Sequence, residues 1–231
     1  MQQESESISK NKTELNKAIN ILIISCLIWL PVALKSQQKD FQIWTSAAVS
    51  KEYNKKFTLG AELQSRFENN VSQLNNYFTE LSGKYEITKW YRPGINYRLS
   101  RWGDGLGAEQ RVDLDNTFRI KMDNNRIDFR ARAQREFDRG ELSEDNLRFK
   151  FQFQHKFSKK LKSYAAAEYW YTWEYAEGFR NWSRQRYTGG LEFEFTKNNS
   201  FDIFYRYQGE INQARPGQEY IFGIGYSLKI D

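Results

Sequence analysis

The chain has 231 residues, of which 39% are apolar and 16% aromatic, with a formal net charge of +6 and a mean hydropathy of −0.81. This length is enough for one sizeable domain or two small ones. A single cysteine excludes both a disulfide framework within the chain and a Cys-based metal site. The sequence carries no helix-turn-helix, zinc-finger or Gly-rich phosphate motif, and acidic residues are interleaved with the basic ones, so no nucleic-acid partner is predicted.

The N-terminal region contains the one long apolar run, Ala18–Leu34, which follows three lysines and includes Cys26. A membrane-spanning helix needs about 20 apolar residues, whereas a shorter run after positive charge is typical of a signal peptide. We therefore predict that residues 1–36 are a signal peptide with a polar leader, cleaved after Ser36, and that residues 37–231 form the mature domain. The alternative is an uncleaved inner-membrane anchor.

From Asp40 onward, apolar and polar residues alternate in eleven segments. This period of two is typical of β-strands with one apolar and one polar face. The clearest segments are Lys56–Glu68, Arg126–Phe137, Leu147–Phe157, Ser200–Ile211 and Glu219–Ile230. No helical apolar stripe interrupts them, so the sequence predicts an all-β fold.

Two kinds of connection alternate between these segments. The short ones are rich in Asn, Asp, Lys and Ser and suit tight hairpins: Lys51–Lys56, Ile87–Trp90, Met122–Arg126, Ser158–Lys162 and Thr196–Ser200. The longer ones are Glu68–Asn76, Arg101–Gly107, Asp138–Asp145, Tyr175–Trp182 and Gly209–Gln218. Sequential hairpins without helices form a meander, which must close or leave two exposed edges. We predict an antiparallel up-and-down β-barrel.

The number of strands does not follow directly from the eleven segments. Single-chain bacterial barrels of the outer membrane have even strand numbers. We therefore expect about ten strands, with Asp40–Ser50 as an accessory strand. Twelve strands remain the alternative.

The barrel lies in a membrane if the apolar face of its strands points outward, and in water if the polar face does. Leu147–Phe157 spans roughly 33 Å at about 3.3 Å per residue, which a tilt of about 45° reduces to roughly 23 Å, close to the ~25 Å apolar band of outer-membrane barrels. Aromatic residues also lie where interfacial girdles are expected, namely Tyr85, Trp90, Tyr169, Tyr171, Trp173 and Tyr175. We predict a transmembrane barrel in the outer membrane, with a secreted soluble barrel as the alternative.

If the aromatic face meets lipid, the opposite face lines the lumen and carries charges of both signs. Buried charges must pair or be hydrated. The predicted lumen network consists of Glu62, Arg66, Arg98, Arg111, Asp113, Arg119, Arg130, Arg132, Glu168, Arg184, Arg186, Glu192, Glu194 and Arg206. A lumen mostly blocked by ion pairs is favoured over an open pore for anions.

Several stretches resemble a family of small Gram-negative outer-membrane barrels that is catalogued as a domain of unknown function. The resemblance extends from Phe41 to the C-terminus and is carried by Phe41–Trp44, Phe57–Phe67, Tyr91–Ser100, Glu109–Arg111 and Arg184–Phe195. It implies an outer-membrane barrel and supplies no catalytic or binding residues.

The last segment is similar to the signal that the barrel-insertion machinery reads. Gly225 is followed by the apolar Leu228 and Ile230 at alternating positions, although the chain ends in Ile-Asp and not in an aromatic residue. The expected partners are therefore outer-membrane lipid and the insertion machinery.

Residues with catalytic potential have simpler interpretations. The only histidine, His155, falls on the aromatic face, where an interfacial role is favoured over that of a catalytic base. Glu192 and Glu194, or Asp113 and Asp115, could form an acid/base pair. They are also natural salt-bridge partners for Arg184, Arg186 and Arg111, and this interpretation is favoured. We predict no enzyme activity, metal or cofactor. The predicted function is that of an outer-membrane barrel of unresolved biochemical role, with a lumen filled by a charged Arg/Glu network. Passage of small anionic solutes is the first hypothesis, and the alternatives are an envelope protein that acts through its loops and a membrane hydrolase.

Overall fold

The computed structural model describes residues 39–230 except 104, 106, 139–140, 175–177 and 179. Within these residues the chain forms eleven strands: β1 (Lys39–Tyr53), β2 (Phe57–Glu68), β3 (Gln73–Tyr85), β4 (Tyr91–Trp102), β5 (Ala108–Met122), β6 (Asn125–Asp138), β7 (Glu141–Lys156), β8 (Leu161–Glu174), β9 (Arg180–Glu194), β10 (Asn199–Glu210) and β11 (Gln218–Ile230). The same residues include no helix long and apolar enough to cross a membrane. The predicted signal peptide lies outside them.

The strands close into a barrel in which each strand pairs with its neighbours in the chain. All of these hairpin pairings are antiparallel, and β1 closes the barrel by pairing in parallel with β11 along residues 39–51. The all-β barrel prediction is confirmed, but the expected ten strands are wrong, because β1 is a full member of the wall. Since neighbouring strands alternate in direction, an odd number of strands forces the first and last to run the same way.

The two ends of the barrel differ in their connections. We call the end with the β1–β2, β3–β4, β5–β6, β7–β8 and β9–β10 connections the turn end, and the opposite end the loop end. Asn54, Lys55 and Asp123 have positive φ in two of the turns, as tight hairpins require. The predicted long connection at 138–145 is mostly strand, because Asp138 pairs with Glu141 and Arg135 pairs with Asp145.

The outer face of the wall is apolar and rich in aromatic rings. Leu63, Leu81 and Phe151 are 60%, 54% and 57% exposed there. Rings on neighbouring strands also stack on this face, as Phe118 does with Phe129 at a centroid distance of 6.3 Å. The alternation predicted from the sequence therefore places the apolar stripe outside and the charged stripe inside.

A few apolar side chains break this rule and point inward. The buried ones are Trp44, Phe78, Trp170, Phe204 and Ile221. Three of them, Trp44, Phe204 and Ile221, form one cluster against which Tyr164 packs. This small inner core fills part of the lumen beside β1, β10 and β11.

Candidate functional site

Eight arginines on the inner faces of seven strands form what we call the arginine belt: Arg66, Arg98, Arg111, Arg130, Arg132, Arg148, Arg186 and Arg206. Their contacts join strands that are not neighbours. Arg130 Nη2 lies 2.8 Å from Glu168 Oε1 on β8, and Arg111 Nη2 lies 3.3 Å from Glu80 Oε2 on β3. Side chains separated by an intervening strand meet in this way through the interior of the barrel, so the belt lines the lumen.

The most tightly paired member of the belt is Arg132. Its Nε and Nη2 donate to the two carboxylate oxygens of Asp115 at 2.6 and 2.7 Å, and its Nη1 donates to Asp113 Oδ2 at 2.7 Å. Asn96 Nδ2 adds a hydrogen bond of 3.0 Å to Asp115. All four side chains are buried, so the charges of this cluster are paired within the lumen.

Glu80 joins two further arginines to this cluster. Arg98 donates to Glu80 Oε2 through Nε at 2.9 Å and Nη2 at 2.6 Å. Arg111 bridges Glu80 and Asp113, with Nη2 3.3 Å from an oxygen of each. The inner faces of β3, β4, β5 and β6 are thereby linked.

Glu168 is a single buried carboxylate surrounded by arginines. It accepts hydrogen bonds from Arg130 at 2.8 Å and from Arg148 at 2.9 and 3.2 Å, while Arg186 Nη1 is 3.5 Å away. The guanidinium carbons of Arg148 and Arg186 also lie 4.5 and 4.6 Å from the centroid of Trp170. Three positive charges share one negative charge here, and the indole ring gives two of them an additional electrostatic contact.

The arginines around Trp44 have the fewest acidic partners. The guanidinium carbons of Arg66 and Arg206 lie 3.9 and 4.9 Å from the centroid of the Trp44 ring. Arg66 Nε donates to Gln64 Oε1 at 2.9 Å, and Arg206 Nε donates to Thr188 Oγ1 at 3.0 Å. Within the described residues neither arginine forms an ion pair, in contrast to the other six arginines of the belt.

A second group of charges lies nearer the turn end. Arg119 Nε donates to Asp128 Oδ1 at 2.6 Å, and Arg126 Nε lies 3.0 Å from the other oxygen. Glu192 and Glu194 both bind the ammonium group of Lys162. The predicted pairing of these glutamates with Arg184 and Arg186 is therefore wrong. Lys162 lies directly opposite Glu192 on the neighbouring strand, whereas Arg184 and Arg186 lie farther along the same strand as the glutamates.

The remaining predicted lumen residues are Glu62 and Arg184. Glu62 lies on the inner face of β2, and Arg184 lines a cavity of about 140 Å³ together with Glu144, Trp170 and Glu210. Neither residue forms an ion pair within the described part of the chain. The structure thus brings most of the predicted lumen residues into shared clusters and leaves these two apart.

The inner aromatic residues were not singled out from the sequence, although their strand position indicates them. Trp44 shares its face with Gln42, Phe78 shares its face with Glu80, and Trp170 shares its face with Glu168. An aromatic residue at a polar position of an alternating strand points into the lumen. This signal could have been used, but it does not say which arginines the ring will meet.

Residues with catalytic potential are engaged in structural contacts. His155 lies on the outer face, where its Nδ1 is 2.8 Å from Asn125 Oδ1 and its ring packs edge-on against Phe157. Asp113 and Asp115 are bound by arginines, as described above. Among the described residues, no group of three or more His, Cys, Asp or Glu side chains is arranged to hold a metal ion.

A closed wall of strands, antiparallel except where β1 meets β11, with an apolar outer face and a charged lumen, places this chain in the class of outer-membrane β-barrels. The chain belongs to the family described as "Protein of unknown function (DUF2490)", which it matches over residues 41–219. The resemblance noted in the sequence is confirmed. No curated protein matched the chain.

Solved structures with a similar fold are outer-membrane barrels. A bacterial polysaccharide outer membrane secretin is similar at a TM-score of 0.52 and 11% identity over 73% of this chain, which spans 63% of that protein. The NanC porin has a TM-score of 0.48 at 13% identity, covering 73% of this chain and 86% of its own. The KdgM porin in complex with disordered oligogalacturonate has a TM-score of 0.47 at 14% identity, covering 78% and 93%. At these identities the likeness concerns the fold.

Proposed function

We propose that this protein is an outer-membrane barrel that takes small anionic solutes into its arginine-lined lumen. The observation that carries the proposal is that two arginines of the belt, Arg66 and Arg206, lie in the lumen without forming an ion pair with any described residue. Within the described residues, the other six arginines of the belt form ion pairs with five carboxylates: Glu80, Asp113, Asp115, Glu136 and Glu168. A narrow cavity with an excess of one charge sign concentrates solutes of the opposite sign.

The packing of the lumen sets an expectation for the size of the pathway. Arg111, Arg132 and Arg148 are 6%, 6% and 7% exposed, so the belt itself leaves little free space around these side chains. An open general-diffusion pore would leave such side chains in water. We therefore expect a low conductance with a preference for anions.

The reversal potential in a planar bilayer under a KCl gradient tests the proposed function. We expect small current steps whose reversal potential has the sign of an anion-selective pathway. The double variant Arg66→Gln, Arg206→Gln should shift the reversal potential toward zero, because it removes from the lumen two positive charges that form no ion pair. Arg101→Gln removes an exposed arginine at the loop end and serves as the control, for which selectivity should not change. Cation selectivity, or a folded protein without current, would overturn the proposal.

The location and partners belong to the same proposal. The similar structures point to the outer membrane, and export by the predicted signal peptide would deliver the chain there. In β11, Leu228 and Ile230 lie on the outer face and Gly225 lies on the inner face beside Ser46. This arrangement supports recognition of β11 by the insertion machinery and contact of its outer face with lipid.

The two alternative functions stay predictions. An envelope protein acting through its loops would use the 175–182 and 209–218 connections, part of which lies outside the described residues. A membrane hydrolase would need His155 or the Glu192 and Glu194 pair, whose contacts within the described chain are structural. The porin-like fold makes an enzyme the weaker alternative.

A further inference from the structure

We propose that Arg66 and Arg206, held over the two-ring side chain of Trp44, form a binding site for a single oxyanion group, the carboxylate or phosphate of a small solute. The inference rests on the proposed function, because it locates within the lumen the point at which an anionic solute is held. It concerns these two arginines and not the belt as a whole.

Both guanidinium groups are fixed in place before any ligand arrives. Each uses Nε for a hydrogen bond to a neutral acceptor on its own or the adjacent strand, Gln64 for Arg66 and Thr188 for Arg206. Aromatic rings hold the carbon end of each group: Phe78 lies 4.9 Å from Arg66 Cζ, and Phe204 lies 4.4 Å from Arg206 Cζ. Little side-chain freedom is then left to lose on binding, which favours affinity.

The terminal nitrogens of these two groups are the donors available to a ligand. Within the described residues, no acceptor lies within hydrogen-bonding geometry of Nη1 or Nη2 of either arginine. These nitrogens are also absent from the buried side-chain atoms that lack a partner, so solvent reaches them. The two terminal nitrogens of each guanidinium group fit the two oxygens of a carboxylate or phosphate group.

A third arginine near Trp44, Arg186, differs from these two because its nitrogens already have partners. Arg186 Cζ lies 5.6 Å from the Trp44 centroid, but its Nε donates to Gln208 Oε1 at 2.9 Å and its Nη2 binds the same oxygen. Its Nη1 faces Glu168 at 3.5 Å. Each of its nitrogens therefore has a partner. Arg186 contributes positive charge to the site but no terminal nitrogens that are free for a ligand.

The residues that line the site on β1 and β11 are smaller on the turn-end side than on the loop-end side. On the turn-end side of Trp44, the inner faces of β1 and β11 carry the small residues Ser46, Ala48 and Gly225. On the loop-end side, Gln42 and Gln208 are 5% and 7% exposed, and Gln208 Nε2 donates to Glu219 Oε2 at 2.8 Å. Short turns face the periplasm in outer-membrane barrels, so the solute would reach the site from the periplasmic side.

Equilibrium binding of inorganic phosphate and of acetate to the refolded barrel in detergent, measured by titration calorimetry, tests the site. We expect saturable binding with a one-to-one stoichiometry for the unchanged protein. Arg66→Gln and Arg206→Gln should each weaken binding by roughly tenfold or more, since each removes one charged fork. Arg66→Lys should restore charge but only part of the affinity, because an ammonium group cannot bind two oxygens in a fixed plane.

The controls separate loss of the site from loss of the fold. Each variant is first checked for the mobility difference between unheated and boiled samples that a folded barrel shows on a gel. Arg101→Gln, which changes an exposed arginine away from Trp44, should bind phosphate as the unchanged protein does. If a variant does not fold, the two lysine replacements at positions 66 and 206 take its place.

The outcomes for the site and for the function differ. Equal phosphate and acetate binding by the unchanged protein and by folded Arg66→Gln and Arg206→Gln variants would overturn the site, even if the bilayer shows anion selectivity. Absence of saturable binding by the unchanged protein would overturn it as well. Loss of binding in both variants with no bilayer current would support the site and overturn the proposed passage of solutes.

Discussion

Arg132 illustrates what a single residue of the belt contributes to stability. It is 6% exposed and pairs with both Asp113 and Asp115, so its removal leaves two buried carboxylates without their main cation. Removing one partner of a buried ion pair costs about 3–5 kcal/mol. We expect Arg132→Gln to lower the free energy of unfolding by this order, measured by urea titration of the refolded protein in lipid vesicles.

The matched control for this change lies on the same strand and the opposite face. Arg135 pairs with Asp145 at 2.8 Å, but its side chain is 54% exposed, and exposed pairs contribute at most about 1 kcal/mol. Arg135→Gln should therefore have a small effect. Equal losses for the two variants would show that the inner ion pairs do not stabilise the barrel.

At the scale of the strand, the contact between β10 and β11 depends on a residue without a side chain. A Cβ atom on Gly223 would overlap the ring of Phe204, which faces the lumen on β10. We expect Gly223→Ala to lower the free energy of unfolding by about 1–3 kcal/mol through overpacking, as measured by the same urea titration. Gly189→Ala is the control, because nothing lies within 4 Å of its Cβ position, and stability there should stay within about 0.5 kcal/mol.

The strands themselves could be predicted from the sequence, but their closure could not. Alternation assigns each residue of β7 to a face, and Phe151 and Phe153 lie outside as this pattern predicts. Whether β1 joins the wall depends on its pairing with β11, which is 165 residues or more away in sequence and leaves no mark on the periodicity of either strand. The even-strand rule assumes antiparallel closure, and β1 closes this barrel in parallel.

At the scale of the whole molecule, the same limit applies to the candidate site. The alternation of apolar and polar residues identified Arg66 and Arg206 as lumen residues, since each lies on the face of its strand opposite the apolar stripe. That both contact Trp44 follows from the number of strands and their stagger, which decide which inner side chains meet when two strands, β1 and β11, lie between them. The partners of a lumen arginine are therefore a property of the closed barrel and not of its own strand.

The orientation of the entire wall can be tested with two neighbouring tryptophans. Trp182 on β9 lies on the outer face beside Tyr171, whereas Trp170 on β8 is 3% exposed inside the lumen. Phospholipids with brominated acyl chains quench the fluorescence of tryptophans that they contact. In vesicles of such lipids, Trp182→Phe should reduce the quenched part of the emission, and Trp170→Phe should reduce only the part that is not quenched. The reverse result would mean that the aromatic stripe is hidden from lipid and that the charged stripe, with its arginines, faces outward.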